Sequence, residues 1–241
     1  MSDRITIILL AHNEAASIQA EIAAFREEVL ARLPLSELIV AEDGSSDGTR
    51  ERIEAVQQHY HNLRIVGGAE RLGYTAAVRN AVARARGDFV FVCDGGQKHD
   101  PEDFWKLYDR RHSADLITGR KTNRTDQRYR RFFSAALNLF VRRVFGIVAF
   151  DADSGMRLYN RSVIEEVIAG PLHFRGFIST EIVIRAVRRG FRYVEVPVSY
   201  RRTRSSSRGL PLRTIPRAIA RFLTDSLKLK RDLAATDLNR R

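Results

Sequence analysis

Along the first hundred positions, apolar residues arrive in short continuous runs separated by longer amphipathic stretches. Residues 5–10, 38–41, 63–66 and 89–93 are such runs, rich in Ile, Leu, Val and Phe, and read as buried strands. Between the first two, Ile18, Ile22, Phe25 and Val29 recur on one face of a helix that follows Asn13. Residues 49–59 and 74–85 read as two more helices. Strands alternating with helices of this length predict a mostly parallel sheet covered on both faces. Residues 115–118 add a strand.

The second half is less regular. Residues 131–145 predict a helix whose apolar face is Phe133, Leu137, Phe140, Val141 and Val144. Shorter helices are expected at 162–169 and 179–189. Residues 191–198 alternate as a strand, and Pro197, which cannot donate to a ladder, puts that strand at or near an edge. A final amphipathic helix is expected over 212–233, weakened or kinked near Pro216.

Three of the strands empty into polar turns. The first ends in Ala11-His12-Asn13-Glu14 and the second in Glu42-Asp43-Gly44-Ser45-Ser46-Asp47-Gly48. The strand at 89–93 ends in Asp94-Gly95-Gly96-Gln97-Lys98-His99-Asp100-Pro101. Carboxylates at the C-terminal ends of strands point into the crevice where open α/β sheets bind ligands. Asp47 is placed to cap the helix near Thr49. Asp100 suits the cap of the helix opened by Pro101-Glu102-Asp103 better than a metal.

Composition narrows the class. The chain has 241 residues, 44% hydrophobic, and a single cysteine, so one domain with a sizeable core is expected and a disulfide framework is excluded. Cys93 sits in an apolar strand as a small buried residue. The opening residues do not form a signal peptide, and no run approaches the roughly 20 apolar residues of a membrane span. The expected location is therefore cytoplasmic, with any membrane contact peripheral. The net charge of +12 favours anionic partners: nucleic acid, anionic lipid headgroups or phosphorylated substrates. No recognised nucleic-acid module accompanies the charge, so nucleic acid is not expected.

The order of these motifs resembles the family 2 glycosyltransferases of GT-A fold, and within them the dolichol-phosphate mannose synthases and bacterial polyprenyl-phosphate glycosyltransferases. The resemblance runs over roughly residues 4 to 205. It implies a single GT-A, Rossmann-like α/β domain over 1–209 and a C-terminal amphipathic helix with a basic tail over 210–241. The family's Asp-Asp-Gly-Ser becomes Glu42-Asp43-Gly44-Ser45 here, and Leu10 replaces its usual proline before Asn13-Glu14. Its Asp-x-Asp becomes Asp94-Gly95-Gly96, with Lys98 where a glutamine is usual. One metal-binding carboxylate is thus missing. Gln97 or His99 can complete a site with Asp94 for Mg²⁺ or Mn²⁺, or Lys98 can replace part of the metal's charge.

Further roles follow from the resemblance. Ala11, Asn13, Glu14, Asp43, Gly73 and Asp94 would line the nucleotide pocket. Glu14 is equally an ordinary first-turn helix carboxylate, and Arg71, before Gly73, either faces a phosphate or stays in solvent. Arg120, Arg130 and Ser134 would bind the acceptor phosphate; Arg130 and Ser134 are four apart, hence on one helix face. The alternative is a basic helix end in solvent. Asp153-Ser154-Gly155-Met156-Arg157 matches a segment near sugar and acceptor. Asp94 and Glu181 are the candidate catalytic-site carboxylates. Glu181 has a second reading as the partner of Arg185 one turn on. Arg202 and Arg204 belong to a basic loop that would fold over the diphosphate.

The implied activity is inverting transfer of a sugar from a nucleotide sugar, GDP-mannose first and UDP-sugars second, onto polyprenyl or dolichyl phosphate. The same fold acting on a soluble acceptor, or a regulatory nucleotide-sugar-binding protein that has lost catalysis with the second aspartate, are the alternatives. The final helix would either cover the domain, meet a second subunit in a homo-oligomer, or lie on an anionic membrane surface.

Overall fold

The computed structural model describes residues 3–122, 128–201 and 215–238. Seven strands form one sheet in the order β3-β2-β1-β4-β6-β5-β7. They are β1 (Ile5–Ala11), β2 (Glu37–Glu42), β3 (Leu63–Val66), β4 (Phe89–Asp94), β5 (Leu116–Lys121), β6 (Met156–Asn160) and β7 (Tyr193–Val198). All neighbours pair in parallel except β6, which runs antiparallel to both β4 and β5. The mostly parallel α/β architecture is thus as expected, and β7, with Pro197, is an edge strand.

Alternation within each strand feeds two cores. Ile8, Leu10, Ile39, Val90 and Val92 face one side, under α3 (Tyr74–Val82), α5 (Arg128–Phe145), α7 (Ile178–Arg188) and α8 (Ile215–Leu238). Ile7, Leu9, Leu38, Val40 and Phe91 face the other, under α1 (Ile18–Glu28), α2 (Thr49–Gln57) and α4 (Asp103–Tyr108). β1, β2 and β4 are largely apolar on both faces because both are covered, which is why these segments read as continuous hydrophobic runs.

Four features differ from the sequence reading. β6 was not expected as a strand: its second residue, Arg157, is a charge buried in mid-sheet, which breaks the apolar signature. Residues 162–169 are not one helix but a short turn, α6 (Arg161–Val163), followed by a π-helical turn (Ile164–Ile168). α1 starts at Ile18, because the Glu14 carbonyl accepts from the N–H groups of Ser17 and Ile18 and sets the first turn there. Pro216 does not kink α8; it is the second residue of that helix, where a missing N–H costs nothing. Leu212 lies outside the described residues.

α8 is split in its loyalties. Leu229 and Leu233 are buried in the core and Phe222 packs against it. Ile219, Leu223 and Leu227 are exposed. Asp232 anchors the far end, bonding His173 Nε2 at 2.6 Å and Arg185 Nη2 at 3.2 Å.

Candidate functional site

The C-terminal ends of β1, β2 and β4 and the N-terminal end of β6 meet along one rim of the sheet. Backbone bonds fix the level: Asp43 N–H donates to Ala11 O, Gly95 N–H to Leu10 O, and Asp94 N–H to Gly155 O, each at 2.8–3.0 Å. Antiparallel β6 brings its beginning, not its end, to this rim.

At β2, the Asp43 carboxylate is nearly buried. It accepts from the backbone N–H groups of Leu72 at 2.8 Å and Gly73 at 3.0 Å. Arg71 is 3.9 Å away and largely exposed. Gly44 permits this docking: its φ is +59°, and a Cβ there would lie 2.5 Å from Arg71 N. The structure thus unites Asp43 and Gly73. Asn13, also at positive φ, ties β1 to the same turn, receiving Ser46 N–H on Oδ1 while its own N–H donates to Ser45 Oγ. Glu14 is buried against Ser17 and Thr49. Glu42, in the first aspartate's place, accepts from Ser45 N–H at 2.6 Å and pairs with Arg50 at 3.5 Å. Asp47 Oδ1 accepts from Thr49 N–H at 3.1 Å, from one position before the N-cap, which is Gly48 and not Asp47.

Asp94 ends β4 with one oxygen engaged. Oδ1 accepts from the Tyr74 hydroxyl at 2.7 Å and pairs with Arg157 Nη2 at 3.3 Å. Arg157 also donates to Tyr74 Oη at 2.8 Å and to Ser179 Oγ. Oδ2 points at Gly155, whose missing side chain is essential: a Cβ there would lie 2.6 Å from Oδ2 and 2.9 Å from His99 Nε2. Of the two residues proposed beside Asp94, it is therefore His99 that converges on it, while Gln97 is exposed. Burial pushes the His99 imidazole down to about 4, so it is a neutral donor nitrogen at pH 7. Its Nδ1 is buried without a hydrogen-bond partner. Among the described residues no cluster of three or more His, Cys, Asp or Glu could hold a metal. Asp94 with His99 supplies two donors, a fit for an ion whose remaining ligands come from a diphosphate and water.

Beneath the turn lies Glu21, which sequence reading missed. Burial pushes its carboxyl up to about 7, partly opposed by backbone bonds from Gly96 and Gln97, and the Gly96 N–H lies 2.9 Å away. Glu21 stands three residues after Ile18 and four before Phe25, inside the apolar stripe, and that placement was the available signal.

A cavity of about 450 Å³ opens between α5 and α8. Its walls include Phe133, Leu137, Phe140, Phe177, Phe222 and Leu223, and Ser134 lines it as well. Lys121, Asp151, Asp153 and Tyr200 close its polar end. Burial lifts the Asp153 carboxyl to about 7, with Lys121 opposing and Asp94 reinforcing the rise. The cavity adjoins the Asp94 cluster, because Tyr200 in its wall lies 5.7 Å from the His99 ring and Asp153 stands two residues before the Gly155 that meets Asp94. Arg120 does not line it: alternation along β5 turns Arg120 outward, 5.4 Å from the Phe150 ring, and turns Lys121 in. Arg130 falls on α5, but its side chain, like all of Arg202 and Arg204, lies outside the described residues. Just before Arg202 and Arg204 in the chain, the Tyr200 ring lies 5.7 Å from the His99 ring and 5.5 Å from Lys121 Nζ.

Glu181 is placed differently from the other candidates. It is fully buried. Oε2 accepts from His173 N–H at 2.7 Å and Phe174 N–H at 2.6 Å, and Oε1 from Arg185 Nε at 2.8 Å. Its second reading, as a partner for Arg185, is realised. The loop it braces reaches the site indirectly, through Thr75 Oγ1, which donates to the carbonyls of Phe174 and Arg175.

The glycosyl transferase family 2 model matches residues 6–168, spanning β1 to the π-helical turn. The chain belongs to glycosyl transferase family 2. Among similar curated proteins of the family, glycosyltransferase AglD of Haloferax volcanii is 30% identical over 81% of this chain and 33% of its own length. The undecaprenyl-phosphate 4-deoxy-4-formamido-L-arabinose transferase of Pseudomonas aeruginosa is 26% identical over 69% of this chain and 50% of its own. Dodecaprenyl-phosphate galacturonate synthase of Rhizobium johnstonii is 31% identical over 57% and 42%. The chain thus spans half or less of the length of these relatives. Among solved structures, glucosyl-3-phosphoglycerate synthase of Mycobacterium tuberculosis, with Mn²⁺ and UDP, superposes with a TM-score of 0.70 at 22% identity, over 93% of this chain and 80% of that one. Mannosyltransferase PcManGT of Pyrobaculum calidifontis, with GDP-mannose and Mn²⁺, gives 0.62 at 19%, over 84% and 57%. At these identities the likeness establishes the GT-A fold.

Proposed function

We propose that this chain transfers a sugar from a nucleoside-diphosphate donor to a polyprenyl phosphate, with inversion at the anomeric carbon. The observation that carries the reading is the cavity between α5 and α8: apolar along its length, closed by Lys121 and two carboxylates, and adjoining Asp94. The apolar length suits an isoprenoid chain, and Lys121, which pairs with Asp151 at 3.7 Å, is the cation at its end. Relatives named for undecaprenyl and dodecaprenyl phosphate support the acceptor class. GDP-mannose is the first donor to test and UDP-sugars the second.

The chemistry asks little of a general base, because a phosphate monoester is largely dianionic near neutral pH. An acceptor phosphate oxygen attacks the anomeric carbon. The bond to the donor's diphosphate oxygen breaks, and its electron pair leaves on the nucleoside diphosphate. The protein's task is positioning and charge. Ala11, Asn13, Glu14, Asp43 and Gly73 frame the nucleoside, and Asp94 faces the sugar–diphosphate end. Lys121 and Ser134 take the acceptor phosphate, with Lys121 replacing Arg120 in that role because of where the strand turns it. Arg130, Arg202 and Arg204 remain proposed phosphate contacts. Asp94 and His99 would hold Mg²⁺ or Mn²⁺, whose contribution is to neutralise charge on the leaving diphosphate.

Contact with an anionic membrane surface accompanies this reading. Leu223 lines the cavity, and Phe132 and Leu139 on α5 and Leu227 on α8 are further exposed apolar side chains on the two helices that form it. Exposed Arg131, Arg142, Arg221 and Lys228 interleave with them, the arrangement of an interfacial surface. Among the described residues no helix is long and apolar enough to cross a membrane.

The test supplies GDP-mannose, UDP-glucose and UDP-galacturonate in turn, with undecaprenyl phosphate in anionic vesicles, with and without Mn²⁺. Nucleoside diphosphate release that requires the lipid phosphate, and a sugar recovered on the lipid, are expected. Release indifferent to the lipid, or promoted equally by phosphoglycerate, would overturn the acceptor assignment.

A further inference from the structure

Two parts of the site are tied together by one side chain that belongs to neither. Asp43 holds the backbone N–H groups of Leu72 and Gly73. The next residue, Tyr74, opens α3 and donates its hydroxyl to Asp94 Oδ1 at 2.7 Å. That hydroxyl also accepts from Arg157 Nη2 at 2.8 Å, and Arg157 reaches Asp94 Oδ1 at 3.3 Å. The three groups form a closed triangle. A phenol that must donate to a carboxylate and accept from a guanidinium has one orientation available, and its position is set by the loop that Asp43 grips.

Arg157 cannot fill Tyr74's place alone. It is fully buried and also committed to Ser179. Without the hydroxyl, Asp94 is held on one side only. Its carboxylate is then free to turn onto the guanidinium and draw Oδ2 away from Gly155 and His99.

We propose that Tyr74 is a positioning residue that links the nucleoside pocket to Asp94, so that the 71–73 loop held by Asp43 sets the direction in which Asp94 points. The proposal rests on the reading of Asp94 as the residue at the sugar–diphosphate end. It makes Tyr74 matter to turnover more than to binding, since its hydroxyl touches Asp94 and not the nucleoside pocket.

The experiment is a double-mutant cycle with Tyr74→Phe and Asp94→Asn. It is read as kcat and KM for nucleoside diphosphate release from the donor series above, and as affinity for GDP and UDP by calorimetry. Tyr74→Phe is expected to lower kcat about tenfold, the loss for one hydrogen bond to a charged group. Donor KM and nucleotide affinity should stay near those of the wild type, while the melting midpoint falls by a few degrees because buried Arg157 loses an acceptor. In the Asp94→Asn background the same change should have little further effect, because the group it orients has already been altered. Multiplying effects, an unchanged kcat in Tyr74→Phe, or a loss confined to nucleotide affinity overturns the linkage. If Asp94→Asn itself turns over like the wild type, the reading of Asp94 falls and the linkage with it. If Asp94→Asn is crippled while Tyr74→Phe is not, the linkage alone falls.

Discussion

Replacing Glu181 by alanine separates two roles that a buried carboxylate in a transferase can play. In the structure the side chain is wholly enclosed and bonds two backbone N–H groups and Arg185. Removing one partner of a buried ion pair costs about 3–5 kcal/mol, because the other charge is left behind. Arg185 keeps Asp232 at 3.2 Å, which brings the expected loss to the lower end, about 3 kcal/mol. For a domain of this size each kcal/mol moves the melting midpoint by roughly 2–4 °C, so a fall of about 6–12 °C is expected. Glu181→Gln keeps one acceptor oxygen but turns an amide NH₂ toward a donor, and should fall between wild type and alanine. Calorimetric melting at pH 7 reads the stability. Nucleotide affinity and transfer are then measured well below the alanine variant's midpoint, where both should persist at a reduced level. A variant that melts within about 2 °C of the wild type yet has lost all transfer would refute the bracing role and return Glu181 to the sugar.

Three other changes have definite expected outcomes. Glu21 holds its proton up to about pH 7 when folded, against an ordinary value of 4.5. The folded state thus binds more protons between those values, and stability falls as pH rises through that window, by up to about 3 kcal/mol; Glu21→Gln should flatten the dependence seen in denaturant titrations and be the more stable protein at pH 8. Lys121→Ala should raise the acceptor KM at least tenfold, by the scale of a charged hydrogen bond at about 1.5–3 kcal/mol, while Arg120→Ala should change it less than about threefold; equal effects would contradict the orientation of β5. Wild-type protein should retain measurable transfer in EDTA and Lys98→Ala should not, because Gly96 supplies no second carboxylate and Lys98 stands beside the turn; an enzyme silenced by EDTA and fully restored by micromolar Mn²⁺ would rule out charge replacement by Lys98.

How far the sequence could be read depended on which signal each residue carried. The runs at β1, β2 and β4 were visible because both faces of a covered parallel strand are apolar, and Asp43 and Asp94 followed as the polar residues at their ends. Pro197 gave the edge position of β7 through a missing donor. β6 was hidden by Arg157, since a charge in a central strand contradicts the apolar pattern that marks one. With the strand went the pairing of Val92 with Arg157, and with it the contact between Arg157 and Asp94. Arg120 and Lys121 are adjacent in sequence and opposite in space; only the register of β5 tells them apart. Tyr74 read as the first residue of a helix, and nothing local to it points twenty positions along the chain to Asp94.

The reversed direction of β6 has a further result. The chain leaves the sheet at Lys121, the end of β5, builds α5 and the turn before Met156, and re-enters at the start of β6. Departure and return lie at the same rim, so the described residues between them form a detour that adds no strand to the sheet. The detour contributes Phe133, Ser134 and Phe140 to the cavity wall, and its last residue, Gly155, accepts the Asp94 N–H. On the proposed reading, acceptor and donor meet at one turn: the segment that walls the cavity ends on the glycine that leaves room beside Asp94 Oδ2.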